Sequence, residues 1–557
     1  MDPNGADSNP GTQALPVQTL ANAISKVPSG GTVVARGGTY RDGSSASVNK
    51  SFTLQANPHE QVWFDGTDVV NTWTSAGNGQ WYVDWDTPTF CAGHYYDYPY
   101  AQQPTANTGP CSHYDMTGDP ANPAAGDPQM VFIDGTYIHE VTTTLAAATG
   151  ANFFYDQTAK RLYLGTDPTN HVVELASRPV ALVLQGGSGG NIVRGIGFRR
   201  YATNEYSGNI THGALAVNVP GATIESCVFT RNAGAGLHIA NPTSAIVHAN
   251  IFAANGFNGL DVNGHEHTTG ATDNLDVENN IFNGNNTERF GTGCSASCAS
   301  AGSKMSHMDG LLLKNNVFEN GVGIAKGFWC DLACNNAVIV NNVFANNGDT
   351  GLMYEVSDTG IIASNLSYGN GAYGIKCGSA NTKIYNNTLV NNSTEALMYD
   401  DSRSPSGSPP DVGPDSVNVE FVNNVLWAGA NMVDARRTSS TGTNTGPNTF
   451  VTALDFNAYY RPNDTPTTLV SWRDGSTTNY TSATALDTAH GWESHALDIT
   501  SGADPFFVDA ANGDYRVRTS SAAYQSGTTL PSDVAAALGV SASAPISRGA
   551  LSWPAVP

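Results

Sequence analysis

The amino-acid sequence predicts an all-β protein built as a parallel β-helix, and three observations carry this prediction. A short phrase recurs through the middle of the chain, for example NNIF at Asn279 and NNVF at Asn315. The chain has 557 residues, of which only 13% are charged and 59 are Gly. No long stretch has helical periodicity.

The spacing of the phrase gives the size of one coil. Its second positions are Cys227, Asn250, Asn280, Asn316, Asn342, Asn365, Asn387 and Asn424, and successive steps are 23, 30, 36, 26, 23, 22 and 37 residues. A minimum of 22 to 23 residues is typical of one coil of a parallel β-helix, and the longer steps indicate insertions. Asn tolerates left-handed backbone, and stacked amides satisfy one another. We therefore interpret the repeated Asn residues as structural.

The chain divides into four predicted parts. Residues 1–56 form a cap and the opening coil, in which the amphipathic helix Gln18–Val27 covers an open sheet edge. Residues 57–181 form a β-rich insertion with an aromatic excursion that includes HYYDYPY at His94. Residues 182–430 are the main β-helix, and residues 431–557 are C-terminal coils and a closing segment.

Charge and composition limit the partners. The chain carries 25 basic and 48 acidic side chains, a formal charge of −23, which argues against nucleic acid and anionic membranes as partners. No run of 18 apolar residues occurs, so no membrane span is predicted. We expect a secreted monomer.

Eight Cys residues also favour an extracellular protein. Cys294 with Cys298, and Cys91 with Cys111, could each close one loop. The Cys-x3-Cys spacing is also compatible with zinc, although no suitably spaced His pair accompanies it. No metal site is predicted.

Several segments resemble a known group of proteins. They are DSNPGT, PVQTLANAISKVPSGGTVVARGGTYRD, QMVFIDGTYIHEV, FFYDQTAKRLYLGTDPTN and DPFFVDAANGDYRVRTSSAAYQSG. They look like secreted bacterial right-handed β-helix proteins of the pectate-lyase-like superfamily, and the resemblance covers most of the chain. It implies a right-handed parallel β-helix. That superfamily holds lyases, hydrolases, epimerases and phage tailspikes, so the function must be argued from the site.

One strand of each coil can be aligned on a recurring Gly. Because strand side chains alternate between faces, the alignment predicts two inward stacks, which are Leu237, Leu260, Phe328, Leu352, Ile375 and Leu397, then Ile239, Val262, Cys330, Tyr354, Cys377 and Tyr399. It predicts two outward columns, which are His238, Asp261, Trp329, Met353, Lys376 and Met398, then Ala240, Asn263, Asp331, Glu355, Gly378 and Asp400. This outward face is the candidate site.

Asp331 and Glu355 share a column on successive coils, so the backbones of their two strands should lie about 4.8 Å apart. Two carboxylates at so short a distance do not easily both ionise, so one can act as an acid beside the other, which acts as a base. A pair about 5 Å apart is typical of a retaining glycosidase, and Asp261 or Asp400 could supply a wider, inverting partner. We therefore predict a secreted hydrolase of polysaccharides or oligosaccharides, with no cofactor.

Lys304 is predicted to belong to the catalytic group with the two carboxylates, and the remaining candidate residues are predicted to bind the sugar. Trp329 offers a stacking face, and Lys304, on the strand AGSKMS of the preceding coil, orients the substrate. Lys376, Asp261, Asn263, His238 and Asp400 complete the predicted binding residues. Within the resemblance, GSK, FW-C-D and YEVS, the last ending at Ser357, look like a recurring signature.

Two alternatives remain open at this point. Lyases of this fold abstract the proton α to a uronate carboxyl with Lys or Arg while Ca²⁺ held by Asp or Glu neutralises the carboxylate. In that case Lys304 is the base, and Asp261, Asp331 and Glu355 are calcium ligands. The second alternative is a non-catalytic glycan-binding β-helix, which needs the groove and its aromatic residues but no carboxylate pair.

Overall fold

The structure is a computed structural model. It describes residues 1–42, 46–86, 128–141, 144–156, 158–187, 189–203, 213–265, 272–290, 300–400, 416–437, 446–543 and 545–555. Cys91, Cys111, Cys294 and Cys298 lie outside these residues, so the two loop closures predicted for them stay predictions.

Three ladders of parallel strands wind into a β-helix, which confirms the predicted fold class. The ladder that carries the candidate site, called here the site ladder, contains Ala46–Val48, Leu182–Gln185, Gly213–Asn218, Ala235–Ala240, Leu260–Asn263, Ala301–Ser306, Lys326–Asp331, Leu352–Ala363, Tyr373–Tyr385, Thr394–Asp400, Asn431–Arg437, Val470–Asp474 and the antiparallel Ser476–Tyr480.

The flank ladder is the next side of each coil. It contains Thr32–Ala35, Thr53–Ala56, Ile192–Arg194, Thr223–Glu225, Ile246–His248, Leu275–Glu278, Asp309–Lys314, Asn335–Val340, Val419–Val422 and Val451–Asp455. The long strands Leu352–Ala363 and Tyr373–Tyr385 run through both ladders and join them into one sheet of 23 strands.

The third ladder has 13 strands. They are Gly38–Tyr40, Val62–Asp65, Gly197–Arg199, Val228–Thr230, Ile251–Ala253, Ile281–Asn283, Val317–Glu319, Val343–Ala345, Leu366–Tyr368, Thr388–Val390, Val425–Trp427, Ala458–Tyr460 and Leu497–Ile499. Its inward Phe residues stack coil upon coil, with ring centroids 4.4 Å apart between Phe282 and Phe318. Burial of such rings is the main apolar stabilisation of the solenoid.

The recurring phrase forms the corner between the flank ladder and the third ladder. Its first residue has left-handed backbone, with φ of 59° at Asn279 and 56° at Asn315. Its second residue belongs to an interior ladder, in which Asn280 donates from Nδ2 to Asn316 Oδ1 at 3.0 Å and Asn316 donates to Asn342 Oδ1 at 3.0 Å. The structural interpretation of the Asn residues is confirmed.

A second ladder of stacked Asn amides lies at the end of the third ladder's strands, and it was not predicted from the sequence. Asn232, Asn255, Asn285, Asn347, Asn370 and Asn392 are buried along it. Each amide ladder reaches a buried carboxyl, because Asn392 donates to Glu395 Oε2 at 2.6 Å and Asn457 donates to Glu493 Oε1 at 2.7 Å. Burial raises the pKa of Glu493 to about 7 and holds that of Glu395 well above its usual range.

This burial predicts a pH-dependent stability. Because Glu493 binds its proton more tightly in the folded than in the unfolded chain, its contribution is complete below about pH 4.5 and is lost as pH rises through about 7. The expected difference is roughly 3 kcal/mol. Thermal melting at pH 5 and pH 8 measures it, and Glu493→Gln should flatten the profile. An unchanged pH slope in that variant would refute the assignment.

The remaining elements cap or decorate the solenoid. The helix Leu20–Lys26 lies within the predicted Gln18–Val27 and buries Leu20, Ala23 and Ile24 against the first coils. Among the described residues, the other α-helices are Pro447–Phe450, Ala483–His490 and Ser532–Leu538, and the short 3₁₀ helices are Leu145–Ala147, Pro462–Asp464 and Ala510–Asn512.

Eight strands form a separate sheet within the predicted insertion. They are Thr67–Val69, Thr74–Gly77, Gln80–Asp84, Val131–Ile133, Thr136–Glu140, Asn152–Asp156, Arg161–Leu164 and Val173–Ala176. The strand Val62–Asp65 lies inside the same predicted range but pairs with Gly38–Tyr40 and Gly197–Arg199 of the third ladder. A two-stranded hairpin, Phe507–Asp509 with Asp514–Val517, lies near the C-terminus. In the described part of the chain, no helix has the length and hydrophobicity to cross a membrane.

Candidate functional site

The site ladder presents two outward columns of side chains, set by the strand register. The first is Ala216, His238, Asp261, Lys304, Trp329, Met353, Lys376, Leu397, Asp434 and Ser471. The second is Asn218, Ala240, Asn263, Ser306, Asp331, Glu355, Gly378, Tyr399, Arg436 and Arg473. The predicted columns match these as far as Lys376 and Gly378, and Lys304 lies in the first column.

The prediction for the following coil is wrong by one residue. Met398 packs in the inward core, whereas Leu397 and Tyr399 take the outward positions. Asp400 is fully buried and leaves the outward column. The error arises because Glu395, rather than the small Ala396, pairs opposite Gly374, and a slip of one residue exchanges the two faces of a strand.

The carboxylate of Glu355 is the centre of the site. Trp329 donates from Nε1 to Glu355 Oε1 at 3.0 Å, and the Tyr399 hydroxyl donates a short hydrogen bond to Oε2. Lys376 Nζ lies 3.8 Å from the same Oε2 and 5.2 Å from the Tyr399 ring centroid. Glu355 is only 5% exposed. Its side chain is therefore held in one orientation by donors from three coils.

The carboxylate of Asp331 has a different partner. Lys304 Nζ lies 2.9 Å from Asp331 Oδ2, and both side chains are about nine-tenths buried. The same ammonium group is 3.9 Å from the centroid of the Trp329 ring, a cation–π contact. Trp329 thus connects the two carboxylates, since its ring contacts the lysine of one and its N–H binds the other.

A short disulfide-closed turn follows Asp331. Cys330 and Cys334 form a disulfide, and the enclosed Leu332 and Ala333 have φ of 53° and 63°. The zinc alternative does not hold for this Cys-x3-Cys pair, because its sulfurs are bonded to each other. Cys227 and Cys377 are free and buried.

This turn is tied to the turn after Glu355. The backbone N–H of Cys334 donates to Ser357 Oγ at 2.9 Å, and that hydroxyl donates to the Glu355 carbonyl at 2.8 Å. Tyr354 donates to the Cys334 carbonyl at 2.6 Å. The backbone segments that carry Asp331 and Glu355 are therefore cross-linked on the interior side of the strands.

The other predicted binding residues lie on both sides of this centre. His238 Nδ1 is 2.9 Å from Asp261 Oδ2, and the Ser306 hydroxyl donates to Asn263 Oδ1 at 2.7 Å. The three predicted residues and their neighbour Ser306 lie on coils before Asp331, and Lys376 lies one coil after Glu355. The structure brings all of them onto one face, and only Asp400 departs from it.

Sequence reasoning missed four charged side chains of this face. Lys326 Nζ lies 4.8 Å from the Trp329 ring centroid and 3.1 Å from Asp349 Oδ2. Beyond Tyr399, Arg436 and Arg473 flank Asp434, at 3.5 Å and 3.1 Å from its Oδ2. Burial raises the pKa of Asp434 although both arginines oppose the shift. Arg436 and Arg473 follow Tyr399 in steps of 37 residues, which is also the step between Asn387 and Asn424, so continuing that step along the column would have located the arginines.

Comparisons with known sequences agree with this fold. The family model described as a right-handed β-helix region matches residues 297–408. The uncharacterised protein YwoF of Bacillus subtilis (strain 168) is 37% identical over 75 residues, 13% of this chain and 16% of YwoF. Pectate lyase PEL9 of Emericella nidulans is 32% identical over 78 residues, 13% of this chain and 19% of PEL9. The chain therefore aligns with less than a fifth of either relative.

One solved structure extends the fold comparison to most of the chain. The structure titled "The complex structure of XylC with xylose" has a TM-score of 0.59 and 15% identity, covering 82% of this chain and 83% of that one. Pectate lyase Pel9A has a TM-score of 0.39 and 15% identity, with coverage of 99% and 95%. Together with the stacked ladders, the matches to the family model and to the XylC structure show that this chain has the right-handed parallel β-helix fold.

Proposed function

We propose that this protein is a glycoside hydrolase that degrades polysaccharides or oligosaccharides, with Asp331 and Glu355 as its catalytic carboxylates. One observation carries the proposal: two buried carboxylates project from neighbouring positions of successive coils on the outer face, and the Trp329 side chain connects them. Such a pair supplies the acid and the base or nucleophile that glycoside cleavage requires. We also propose that the protein is secreted.

The chemistry needs one carboxyl that protonates the leaving oxygen and one that attacks the anomeric carbon or activates water. Backbones of neighbouring strands are about 4.8 Å apart, which favours the short carboxyl separation of retaining enzymes. Lys304 and Lys376 orient sugar hydroxyls beside the two acids. Trp329 and Tyr399 are only 7% and 6% exposed, so the predicted stacking face of Trp329 is largely covered and both side chains serve mainly to position Glu355.

The contacts of Lys304 argue against a lyase that uses this residue as its base. The ammonium group is paired with Asp331 at 2.9 Å and lies over the Trp329 ring. In this arrangement Nζ is engaged by the Asp331 carboxylate and the Trp329 ring, so it would have to leave both before it could approach a substrate proton. Asp331 and Glu355 also already have positive or hydrogen-donating partners, whereas a calcium site requires carboxylate oxygens that face the ion.

The fold neighbours are compatible with this class. The XylC structure is titled as a complex with xylose, and a structure titled "Glycoside hydrolase" is also among the matches. At identities of 15% and 13% they support the architecture and leave substrate and linkage to experiment.

A polysaccharide and aryl-glycoside panel tests the proposal. Hydrolysis is expected to release reducing ends without the ultraviolet absorbance of a new double bond. Reducing ends accompanied by that absorbance would show elimination and overturn the proposal, and binding without product would show a glycan-binding protein. Proton NMR of the first-formed anomer then tests the expected retention of configuration.

Lys304→Ala separates the two kinds of chemistry further. For a hydrolase, the loss of an orienting group should lower kcat/KM by about 10- to 100-fold and leave measurable turnover. For a lyase with Lys304 as base, turnover should disappear, and added Ca²⁺ should partly rescue weakened carboxylate variants. Lys383→Ala is a matched control. Lys383 lies on the flank ladder, away from the site, and pairs with Asp533 of the helix Ser532–Leu538.

A further inference from the structure

One histidine and two carboxylates converge on the outer face of the flank ladder. The strands Ile246–His248 and Leu275–Glu278 are neighbours, with His248 opposite Glu278. Because alternate residues of a strand share a face, Asp276 and Glu278 project on the same side as His248. Each of the three offers one ligand atom, and these atoms all lie within 4.8 Å of one another.

The facing atoms of His248 and Asp276 do not form a hydrogen bond. His248 Nε2 and Asp276 Oδ1 are 3.2 Å apart, and both atoms are shielded from solvent without a hydrogen-bond partner. Four other His–Asp pairs in the described part of the chain are hydrogen-bonded at 2.6 to 2.9 Å, and they are His171–Asp134, His265–Asp273, His495–Asp455 and His238–Asp261. The His248 pair differs from them in geometry and in its second carboxylate.

We propose that His248, Asp276 and Glu278 bind a divalent transition-series cation such as Zn²⁺. Two atoms that are each about 2.1 Å from one cation are about 3.0 to 3.4 Å apart in octahedral to tetrahedral geometry, which matches the Nε2–Oδ1 distance. A neutral imidazole with two carboxylates carries the charge of −2 that balances the ion. The imidazole nitrogen favours zinc-like metals over Ca²⁺ and Mg²⁺, which prefer oxygen ligands.

The position of the trio gives the cation a structural role. The ligands come from two consecutive coils, and the chain between them contains the excursion after Asn263, which lengthens that coil to 30 residues between Asn250 and Asn280. A bound ion would fix the strand that resumes the solenoid after this excursion. The site lies on the flank ladder and the carboxylate pair on the site ladder, so the inference does not rest on the proposed function.

Calorimetric titration with Zn²⁺ alone tests the site. Tag-free protein is stripped with a chelator and titrated in parallel with His248→Ala and Glu278→Gln variants. The wild type is expected to bind one equivalent of Zn²⁺, and each variant is expected to bind it at least about tenfold more weakly or not at all. Added Zn²⁺ should raise the melting temperature of the wild type by at least about 2 °C and should leave that of the variants unchanged. His495→Ala is the matched control, because its hydrogen-bonded pair with Asp455 should be indifferent to the ion.

Three results would overturn the proposal. The first is that the His248→Ala/Glu278→Gln double variant still binds one equivalent of Zn²⁺. The second is that the wild type shows no saturable Zn²⁺ binding. The third is an equal response to Ca²⁺ that the same variants abolish, which would assign the trio to a different class of ion. Circular dichroism of each variant confirms that a lost equivalent reflects lost ligands and not lost folding.

Discussion

Asp331→Asn and Glu355→Gln are each expected to lower turnover by about 10³-fold or more while the protein stays folded. The amides keep the size of the side chains, but they can neither attack a sugar nor transfer a proton. Neither residue belongs to the apolar core, so the melting temperature should change by only a few degrees. Turnover of the most active panel substrate and thermal melting are the two measurements.

The same variants assign the two roles. With an aryl glycoside whose leaving group needs no protonation, the variant that lacks the acid should recover bond cleavage, and the variant that lacks the nucleophile should not. Added azide should rescue one of the two by replacing the missing carboxylate. Asp261→Asn is the matched control on the same face and should stay within about tenfold of the wild type. Near-native turnover in both Asp331→Asn and Glu355→Gln would move the site elsewhere.

Tyr399→Phe is expected to lower kcat by about 10- to 100-fold without a comparable loss of stability. The variant removes the hydroxyl that donates to Glu355 Oε2, and a hydrogen bond to a charged group contributes about 1.5 to 3 kcal/mol. Tyr385→Phe is a matched control, because its hydroxyl donates to Glu420 at 2.6 Å on the flank ladder. Steady-state kinetics of both variants provide the comparison.

Gly378→Ala tests the same contact from the other side. The Tyr399 ring lies over Gly378 so closely that an added Cβ would overlap its carbon atoms. The ring must then move, and we expect the kinetic loss of Tyr399→Phe to reappear. Combining the two substitutions should add little further loss, since both break one hydrogen bond. Fully additive losses would mean that Gly378 acts through something other than Tyr399.

The Asn-containing phrase carried most of the information about the solenoid. Left-handed backbone followed by a buried polar side chain is a local requirement of these corners, and Asn meets both needs at most of them, although Ala249 and Ser364 take the first position in two coils. The same local logic placed Trp329, Asp331 and Glu355 on one outward face, because alternation along a strand depends only on residue number.

What the sequence determined by itself is therefore the coil, most of the inward positions of the site ladder and the candidate carboxylates. Only the tertiary structure decided the register of the strand Thr394–Asp400. In that register the buried Glu395 ends an amide ladder, the Tyr399 side chain points outward and binds Glu355, and Asp400 lies off the outward face. It also decided that Asp331 pairs with Lys304 and that His248 meets Asp276 and Glu278. The physical reason is that a register and a contact between coils depend on how neighbouring coils stack, and insertions of variable length separate those coils in the chain.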